Sequence, residues 1–435
     1  MKQKLVELLS PLVKVEKEQL YSWIEIPPFR NQGDLALPCF QLAKTWRKAP
    51  QLIAQELSQQ IDQKQLTEAG FAKMETVGPY LNFFFDRQTL AYNLLAQSVE
   101  DQLAPHKIGT GQTVVIEYSS PNIAKHFKLY HIRSTMIGQA LANTYAALGY
   151  QVERINHLGD WGTQFGKLLA AYFKWGDEET IKKDPLTELV NLYVKFHEEA
   201  EKNPQLEEEG RYWFKKLEEH DPEAVRLWQW FKDESMKEFE KIYRLLGVQF
   251  DHYLGESFYS DKIEAIIDEL KEKGLLKESE GAQVVFLDEE ELPPCIIQKS
   301  DGASIYATRD LAAAIYRYER FKPVKMLYVV DYRQSLHFQQ VFAVLKRMGR
   351  SFYQQCEHVD FGVMKIEGEI GSTRKGKGLL LHEVLQEAVA KAEEIIQEKN
   401  PDLPNKKEVA QAIGIGAVIF NDLKHHRTRE VNFVW

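Results

Sequence analysis

The 435-residue sequence is poor in cysteine, which argues against two kinds of structural site. Only Cys39, Cys295 and Cys356 are present, and they lie far apart without a CxxC pair. Neither a disulfide framework nor a zinc site is indicated, so we expect no protein-bound metal. Sparse, unpaired cysteines fit a reducing compartment, and we expect a cytoplasmic location.

Long apolar runs, internal repeats and low-complexity tracts are also missing. No stretch approaches the length that spans a bilayer, and Met1–Lys4 opens an amphipathic helical pattern rather than an apolar secretory segment. We therefore expect no membrane partner.

The net charge of −9 gives no general attraction to nucleic acid, although local fields matter more than the total. No GxGxxG follows the first strand of the α/β pattern described next, which excludes a dinucleotide-dependent dehydrogenase.

Apolar strand patterns alternate with helical patterns in two series. The first series is strand 113–118, helix 134–148, strand 151–156 and helix 163–175; the second is helix 308–319, strand 326–331, helix 335–348, strand 358–364 and helix 380–398. Such alternation predicts an α/β fold with a parallel sheet covered by helices on both faces. Two β/α halves separated by helical insertions, at about 176–245 and 250–300, predict a Rossmann-type catalytic domain.

A small α+β domain is predicted in front of this catalytic domain. Helical patterns at 1–15 and 38–60 and an apolar run at 80–85 precede a linker pattern at 104–111. We place the N-terminal domain at 1–105, the catalytic domain at 106–410, and the start of a further helix at 411–435.

The segment Ser119–Thr135 is the most informative part of the chain. It connects the apolar strand 113–118 to the helix 134–148 through a polar turn, an arrangement that binds nucleotide phosphates. The segment strongly resembles the ATP-binding corner of class I aminoacyl-tRNA synthetases, in the form seen in arginyl-tRNA synthetases. In that family the turn ends in His-x-Gly-His. Here Lys128 replaces the first histidine and Tyr130 replaces the glycine, while His131 is retained.

Further segments carry the same resemblance along essentially the whole chain. They are Gly33–Phe40 and Val77–Phe83, similar to the family's N-terminal add-on domain; Asn156–Gly166, similar to its second active-site loop; Ser304–Asp310, similar to the helix start that reads arginine; and Ile370–Lys377, similar to its KMSKS loop. The resemblance implies an arginine–tRNA ligase that uses ATP with Mg²⁺.

The arginine pocket has a physical basis beside the resemblance. A guanidinium has five donors, no acceptor and a permanent charge, so its reader must offer acceptors and a carboxylate. Tyr306 and Asp310 are four residues apart and share a helix face, and Gln334 adds an amide oxygen. Glu117 and Asn122 flank the turn at the carboxyl end of the first strand. The resemblance implies that these two hold the substrate's α-amino group and carboxylate.

The ATP site follows from the resemblance and from charge. Catalysis of adenylate formation requires positioned donors around the α-phosphate. We assign this role to Lys125, Lys128, His131, Arg374 and Lys375, and we assign further ATP contacts to Ser119, Gly159, Asp160, Ser372 and Thr373. Lys128 keeps a positive charge but is a flexible donor, and a phenol ring at Tyr130 would compete with the adenosine for space.

The end of the chain gives a further expectation. The family continues past this point into a helical bundle that grips the anticodon stem, whereas this sequence stops at Trp435 after the basic stretch Lys424–Arg429. We therefore expect a C-terminally truncated form without that bundle. Contact with tRNA would then come from residues 1–105, which in the family touch the tRNA elbow.

Three functions are compatible with these observations. The first is arginine–tRNA ligase activity through arginyl-adenylate. The second is a catalytically impaired paralogue that binds arginine or tRNA as a sensor or partner, which Tyr130 and the missing bundle favour. The third is an enzyme that activates arginine for an acceptor other than tRNA.

Overall fold

The computed structural model describes residues 1–99, 107–299, 305–366, 369–370 and 379–434. The chain divides into two units, Met1–Pro105 and His106–Trp435. The predicted residues Ser372, Thr373, Arg374 and Lys375 lie outside the described part of the chain.

The first unit is a three-stranded antiparallel sheet with helices packed against it. Its elements are α1 (Lys2–Val13), α2 (Lys17–Trp23), β1 (Leu35–Pro38), α3 (Phe40–Trp46), α4 (Pro50–Gln60), α5 (Gln63–Glu68), β2 (Phe71–Val77), β3 (Tyr80–Phe85) and α6 (Arg87–Val99). The strand order is β1-β3-β2. The strand predicted at 80–85 is confirmed. The single helix predicted at 38–60 is wrong, because Arg47 takes a left-handed φ of 51° and Pro50 starts a new helix.

The second unit contains the remaining elements. They are β4 (Thr113–Glu117), α7 (His131–Ala147), β5 (Gln151–Asn156), α8 (Thr163–Trp175), α9 (Glu178–Lys183), α10 (Pro185–Lys202), α11 (Gln205–Glu218), α12 (Pro222–Leu246), β6 (His252–Tyr253), α13 (Ile263–Glu272), β7 (Leu276–Ser279), β8 (Ala282–Leu287), β9 (Leu292–Gln298), α14 (Tyr306–Phe321), β10 (Lys325–Tyr328), α15 (Ser335–Arg347), β11 (Cys356–His358), β12 (Met364–Ile366), β13 (Glu369–Ile370), α16 (Leu381–Lys399), α17 (Lys406–Leu423) and β14 (Val431–Phe433).

Five parallel strands form the central sheet of the second unit, in the order β11-β10-β4-β5-β6. Strand β4 is central: it pairs on one side with β5, its successor in sequence, and on the other with β10, from the second half of the domain. The order reverses at β4, so a crevice opens at the carboxyl ends of β4 and β10. The predicted α/β fold with a Rossmann-type parallel sheet is confirmed.

The insertions differ in structure. Helices α9 to α12 occupy most of residues 176–245, and α12 begins with an Asp221 cap and ends at Gly247, whose φ is 67°. Strands β7, β8 and β9 form a separate antiparallel sheet within residues 250–300.

The strand predicted at 358–364 is wrong. The central-sheet strand β11 ends at His358, and β12 begins at Met364 in a different sheet. Between them Gly362 lies so close to the C-terminal segment that a Cβ there would stand 2.4 Å from the carbonyl oxygen of Arg429. The apolar pattern at this place reflects burial on two sides of a connection rather than one strand.

None of the helices in the described ranges is both long and apolar enough to cross a membrane.

Helix α7 packs through a glycine against Tyr118, the residue that follows β4, and this contact gives a prediction about stability. A Cβ at Gly138 would stand 2.2 Å from the ring of Tyr118. We expect Gly138→Ala to lower the free energy of unfolding by about 1–3 kcal/mol, since the buried ring must move. Gly416→Ala is the control, because nothing lies within 4 Å of its Cβ position. It should raise stability by up to about 1 kcal/mol. Urea unfolding measures both, and equal stabilities of the Gly138→Ala variant and the unmodified protein would contradict this packing.

Candidate active site

A cavity of about 870 Å³ opens at the carboxyl ends of the central strands. Its lining comes from the residues that follow β4, β5 and β10, from the first turns of α7 and α15, from Tyr306 and Asp310 of α14, and from the connection between β11 and β12. Because the strands are parallel, these connections all leave the sheet at one edge. The sheet topology thus places the cavity where the sequence predicted a ligand site.

The turn after β4 has an unusual backbone. Ser119, Ser120 and Ala124 have φ angles of 69°, 48° and 56°, a region that non-glycine residues seldom adopt. Ser134 on α7 stabilises it: its hydroxyl accepts from the Ser119 N–H at 2.9 Å and donates to the Val329 carbonyl at 2.7 Å. One side chain therefore ties the ends of β4 and β10 to α7.

The loops after β4 and β5 meet without space for another atom. Asn122 pairs with Gly159 as an isolated parallel bridge, and a Cβ at Gly159 would stand 2.0 Å from the Asn122 Oδ1 atom. A glycine at 159 is therefore what allows Asn122 its position beside the cavity. Both residues line the cavity.

Four acidic side chains line the cavity, and each has a partner. Glu117 is buried and its Oε2 atom accepts from the guanidinium of Arg317, which also contacts His157 Nδ1 at 3.1 Å. Glu256 pairs with Arg309 at 3.1 Å, and burial raises the pKa of Glu256 to about 8 against the opposing charge of Arg309. Asp331 pairs with Arg333 at 2.7 Å, and the fourth is Asp310.

Asp310 forms a hydrogen bond with His337 Nε2 at 2.5 Å. Burial alone would raise the pKa of Asp310, but the hydrogen bond and charge of His337 outweigh it and hold the pKa below its usual value. Asp310 is therefore a carboxylate at neutral pH. Tyr306, one helical turn earlier, is 65% exposed, and Gln334 stands at the start of α15.

His131 begins α7 and lines the same cavity as Asp310. Its Nδ1 atom accepts from the Lys128 backbone N–H at 2.9 Å, which leaves Nε2 as the proton-bearing nitrogen of the neutral ring. Burial lowers the pKa of His131 to about 4. The Tyr130 ring, which also lines the cavity, lies 4.3 Å from the His131 ring. The φ of Tyr130 is −64°, so the backbone at this position does not require glycine.

The cavity gathers most of the predicted residues but not all. Glu117, Ser119, Asn122, His131, Gly159, Tyr306, Asp310 and Gln334 line it, whereas Lys125, Lys128 and Asp160 do not. Asp160 is fully buried and accepts from Lys232 Nζ at 2.6 Å and from the Ser257 N–H at 2.9 Å. These bonds fix the loop that carries Gly159.

Sequence reasoning missed several residues of the cavity. His337 stands three residues after Gln334, so helical spacing could have indicated it. Glu256, Asp331 and Arg333 carried no signal that separated them from other charged residues. Across the described residues, no three His, Cys, Asp or Glu side chains are grouped to hold a metal ion.

Comparison with known proteins identifies the family. Residues 92–435 match the family of class I (R) tRNA synthetase catalytic domains, and residues 1–85 match the arginyl tRNA synthetase N-terminal domain. The chain belongs to the arginyl-tRNA synthetase family. Arginine–tRNA ligases from Alkaliphilus metalliredigens and Clostridium acetobutylicum are 51% and 52% identical to it, over the whole of this chain and 76% and 77% of their own length.

Solved structures of the family share this fold. Arginyl-tRNA synthetase from Plasmodium falciparum superposes with a TM-score of 0.77 at 21% identity, over 99% of this chain and 76% of that chain. The Thermus thermophilus enzyme gives a TM-score of 0.75 at 23% identity, over 100% and 77%. At identities of 21% and 23%, these similarities establish a shared fold and nothing more.

The partly buried, neutral His131 predicts how stability depends on pH. Its pKa is 6.5 in an ordinary setting and about 4 in the folded chain, so the unfolded chain binds the proton more tightly. As the pH falls from 6.5 to 4, this residue lowers the free energy of unfolding by up to about 3 kcal/mol. His131→Gln keeps an acceptor for the Lys128 N–H but does not titrate. In denaturant unfolding, we expect the free energy of unfolding of this variant to fall less between pH 6.5 and 4 than that of the unmodified protein. The same pH dependence in both proteins would contradict a neutral, desolvated ring at position 131.

Proposed function

We propose that this protein is an arginine–tRNA ligase that activates arginine with ATP and transfers it to tRNA. One observation carries the proposal. In a chain that is 51–52% identical to arginine–tRNA ligases, the carboxylates and acceptors that a guanidinium needs line one cavity beside a nucleotide-type turn. Arginine, ATP and tRNA are its substrates.

The guanidinium of the substrate binds at Asp310. The His337 hydrogen bond fixes this carboxylate and keeps it charged, which prepares it for a bidentate pair before the substrate arrives. Tyr306 and Gln334 supply the further acceptors that line the same cavity. Lysine would satisfy fewer of these acceptors, because its ammonium lacks the planar fork.

The α-amino group and carboxylate of the substrate bind at Glu117 and Asn122. Arg317 occupies one oxygen of Glu117 and leaves Oε1 for the ammonium group. Asn122 offers its amide beside Gly159. The substrate's carboxylate is then held near the turn at Ser119, where the nucleotide is proposed to lie.

The nucleotide binds at Ser119, His131 and Gly159, with Mg²⁺ arriving on it as part of the substrate. An oxygen of the arginine carboxylate attacks the α-phosphorus, and the bond to the pyrophosphate oxygen breaks. The Nε2–H of His131 donates to the charge that develops on the phosphate. Lys125, Lys128, Arg374 and Lys375, with Ser372 and Thr373, complete the phosphate contacts, and Asp160 contributes through the loop of Gly159.

The N-terminal unit is proposed to contact the tRNA outside the anticodon. Its match to the arginyl tRNA synthetase N-terminal domain over residues 1–85 supports this role. A cytoplasmic location stays a prediction from the sequence.

Asp310 gives the sharpest test of the arginine site. Asp310→Asn removes the charge that pairs with the guanidinium, and we expect the affinity for arginine to fall by about 2–5 kcal/mol. Calorimetric titration with arginine measures the affinity, and arginine-dependent pyrophosphate exchange, with and without tRNA, measures activation. Asp251→Asn is the control, since Asp251 pairs with Arg154 at 2.8 Å away from the cavity. Unchanged affinity for arginine in the Asp310→Asn variant, or no arginine binding by the unmodified protein, would contradict the proposed arginine site.

Lys128 and Tyr130 test the nucleotide corner. If they slow adenylate formation, Tyr130→Gly combined with Lys128→His should raise the exchange rate by about 100- to 1,000-fold, the typical value of one positioned donor. The Tyr130→Gly change should be required for the Lys128→His change to act, because an imidazole cannot help a nucleotide that the ring excludes. Exchange at an unaltered rate in the double variant would show that both residues are tolerated.

A further inference from the structure

Arg133 on α7 is a fully buried arginine outside the cavity. Its side chain is 1% exposed, and its guanidinium donates to two backbone carbonyls of the C-terminal segment, from Nη2 to Arg427 at 3.0 Å and from Nη1 to Arg429 at 3.4 Å. Its Nε atom lies 3.6 Å from Asp422 Oδ1, an ion pair that is also buried. A single side chain thus holds the segment that follows α17 against the helix that begins with His131.

The opposite side of that segment holds a wall of the cavity. The Arg427 carbonyl also accepts from the Gly362 N–H at 2.9 Å, and the Val431 N–H donates to the Val363 carbonyl at 3.1 Å. Strand β14 then pairs in parallel with β12, with Met364 opposite Val431. The C-terminal segment therefore lies between Arg133 and the residues 361–366.

The wall itself faces the proposed substrates. Phe361, Val363 and Met364 line the cavity, and the guanidinium of Arg133 lies 5.8 Å from the Phe361 ring. A shift of the C-terminal segment would therefore shift the cavity wall.

Helix α7 lines the cavity with one face and contacts the C-terminal segment with another. His131 and Ser134 are three residues apart and both line the cavity, whereas Arg133 points toward the C-terminal segment. The helix that supplies the proposed phosphate donor is thus the same body that grips the segment behind the wall.

We propose that Arg133 is a positioning residue for adenylate formation. Through the carbonyls of Arg427 and Arg429 it sets the distance between the cavity wall 361–364 and the His131 end of α7. The inference rests on the proposed function, because it concerns the ATP side of the same cavity. Arg133 does not line the cavity, so its effect on ATP passes through the wall.

The role can be separated from stability. Arg133→Met alone removes the carbonyl bonds and also leaves Asp422 buried without its partner, which destabilises the fold. Arg133→Met combined with Asp422→Leu replaces the buried ion pair by apolar side chains, a change that often preserves stability, but it still lacks the two carbonyl bonds. The matched control is Arg350→Met, which loses a 2.7 Å pair with Glu269 and no cavity contact.

Amide hydrogen exchange and substrate kinetics form the test. In the double variant we expect exchange at Gly362 and Val431 to accelerate at least about tenfold. In pyrophosphate exchange we expect kcat/KM for ATP to fall roughly 10- to 100-fold, with KM for arginine unchanged. The Arg350→Met variant should match the unmodified protein in both measurements. Unfolding in urea confirms that each variant is folded at the assay temperature.

Each outcome decides the inference. A double variant with normal hydrogen exchange overturns it, as does one with faster exchange but an unaltered kcat/KM for ATP. A loss that affects ATP and arginine equally indicates a merely structural role and also overturns it. If the unmodified protein shows no pyrophosphate exchange, the proposed function fails. The role of Arg133 in adenylate formation then fails with it, and hydrogen exchange at Gly362 and Val431 still decides separately whether Arg133 holds the C-terminal segment against the wall.

Discussion

The hydroxyl of Ser134 is the contact on which the site depends. It accepts from the Ser119 N–H and donates to the Val329 carbonyl, so it joins the ends of β4 and β10 to the first turn of α7. Without such a partner, the left-handed backbone at Ser119 and Ser120 would be costly. With it, the turn opens a cavity between two strands that are neighbours in the sheet but distant in sequence.

The second constraint is the treatment of buried charge. Glu117 and Asp310 would each be costly to bury alone as charges, and each is paired, with Arg317 and His337 respectively. These partners hold the carboxylates in fixed orientations before any ligand binds. A cationic substrate therefore meets acceptors that need little rearrangement, which is how preorganisation is converted into affinity.

Local sequence patterns predicted many of the helices and strands correctly. Strand 151–156 and helix 163–175 were predicted with the bounds that the structure has, because period and turn residues decide such elements. The resemblance picked out Tyr306 and Asp310, their spacing of four placed them on one helix face, and both line the cavity. The prediction failed at 358–364, where the chain leaves the central sheet after His358 and packs against the C-terminal segment, which pairs with β12 in a different sheet. A pattern cannot tell which distant segment covers it.

The sequence by itself determined the alternation of strands and helices, the polar turn after the first strand, and the family to which these motifs point. Those features are local, since propensity, capping and periodicity act over a few residues. Only the tertiary structure decided that Arg317, 200 residues from Glu117, would neutralise it, and that Arg133 would bind carbonyls nearly 300 residues away. Such contacts depend on the packing of elements whose separation along the chain carries no information about their distance in space.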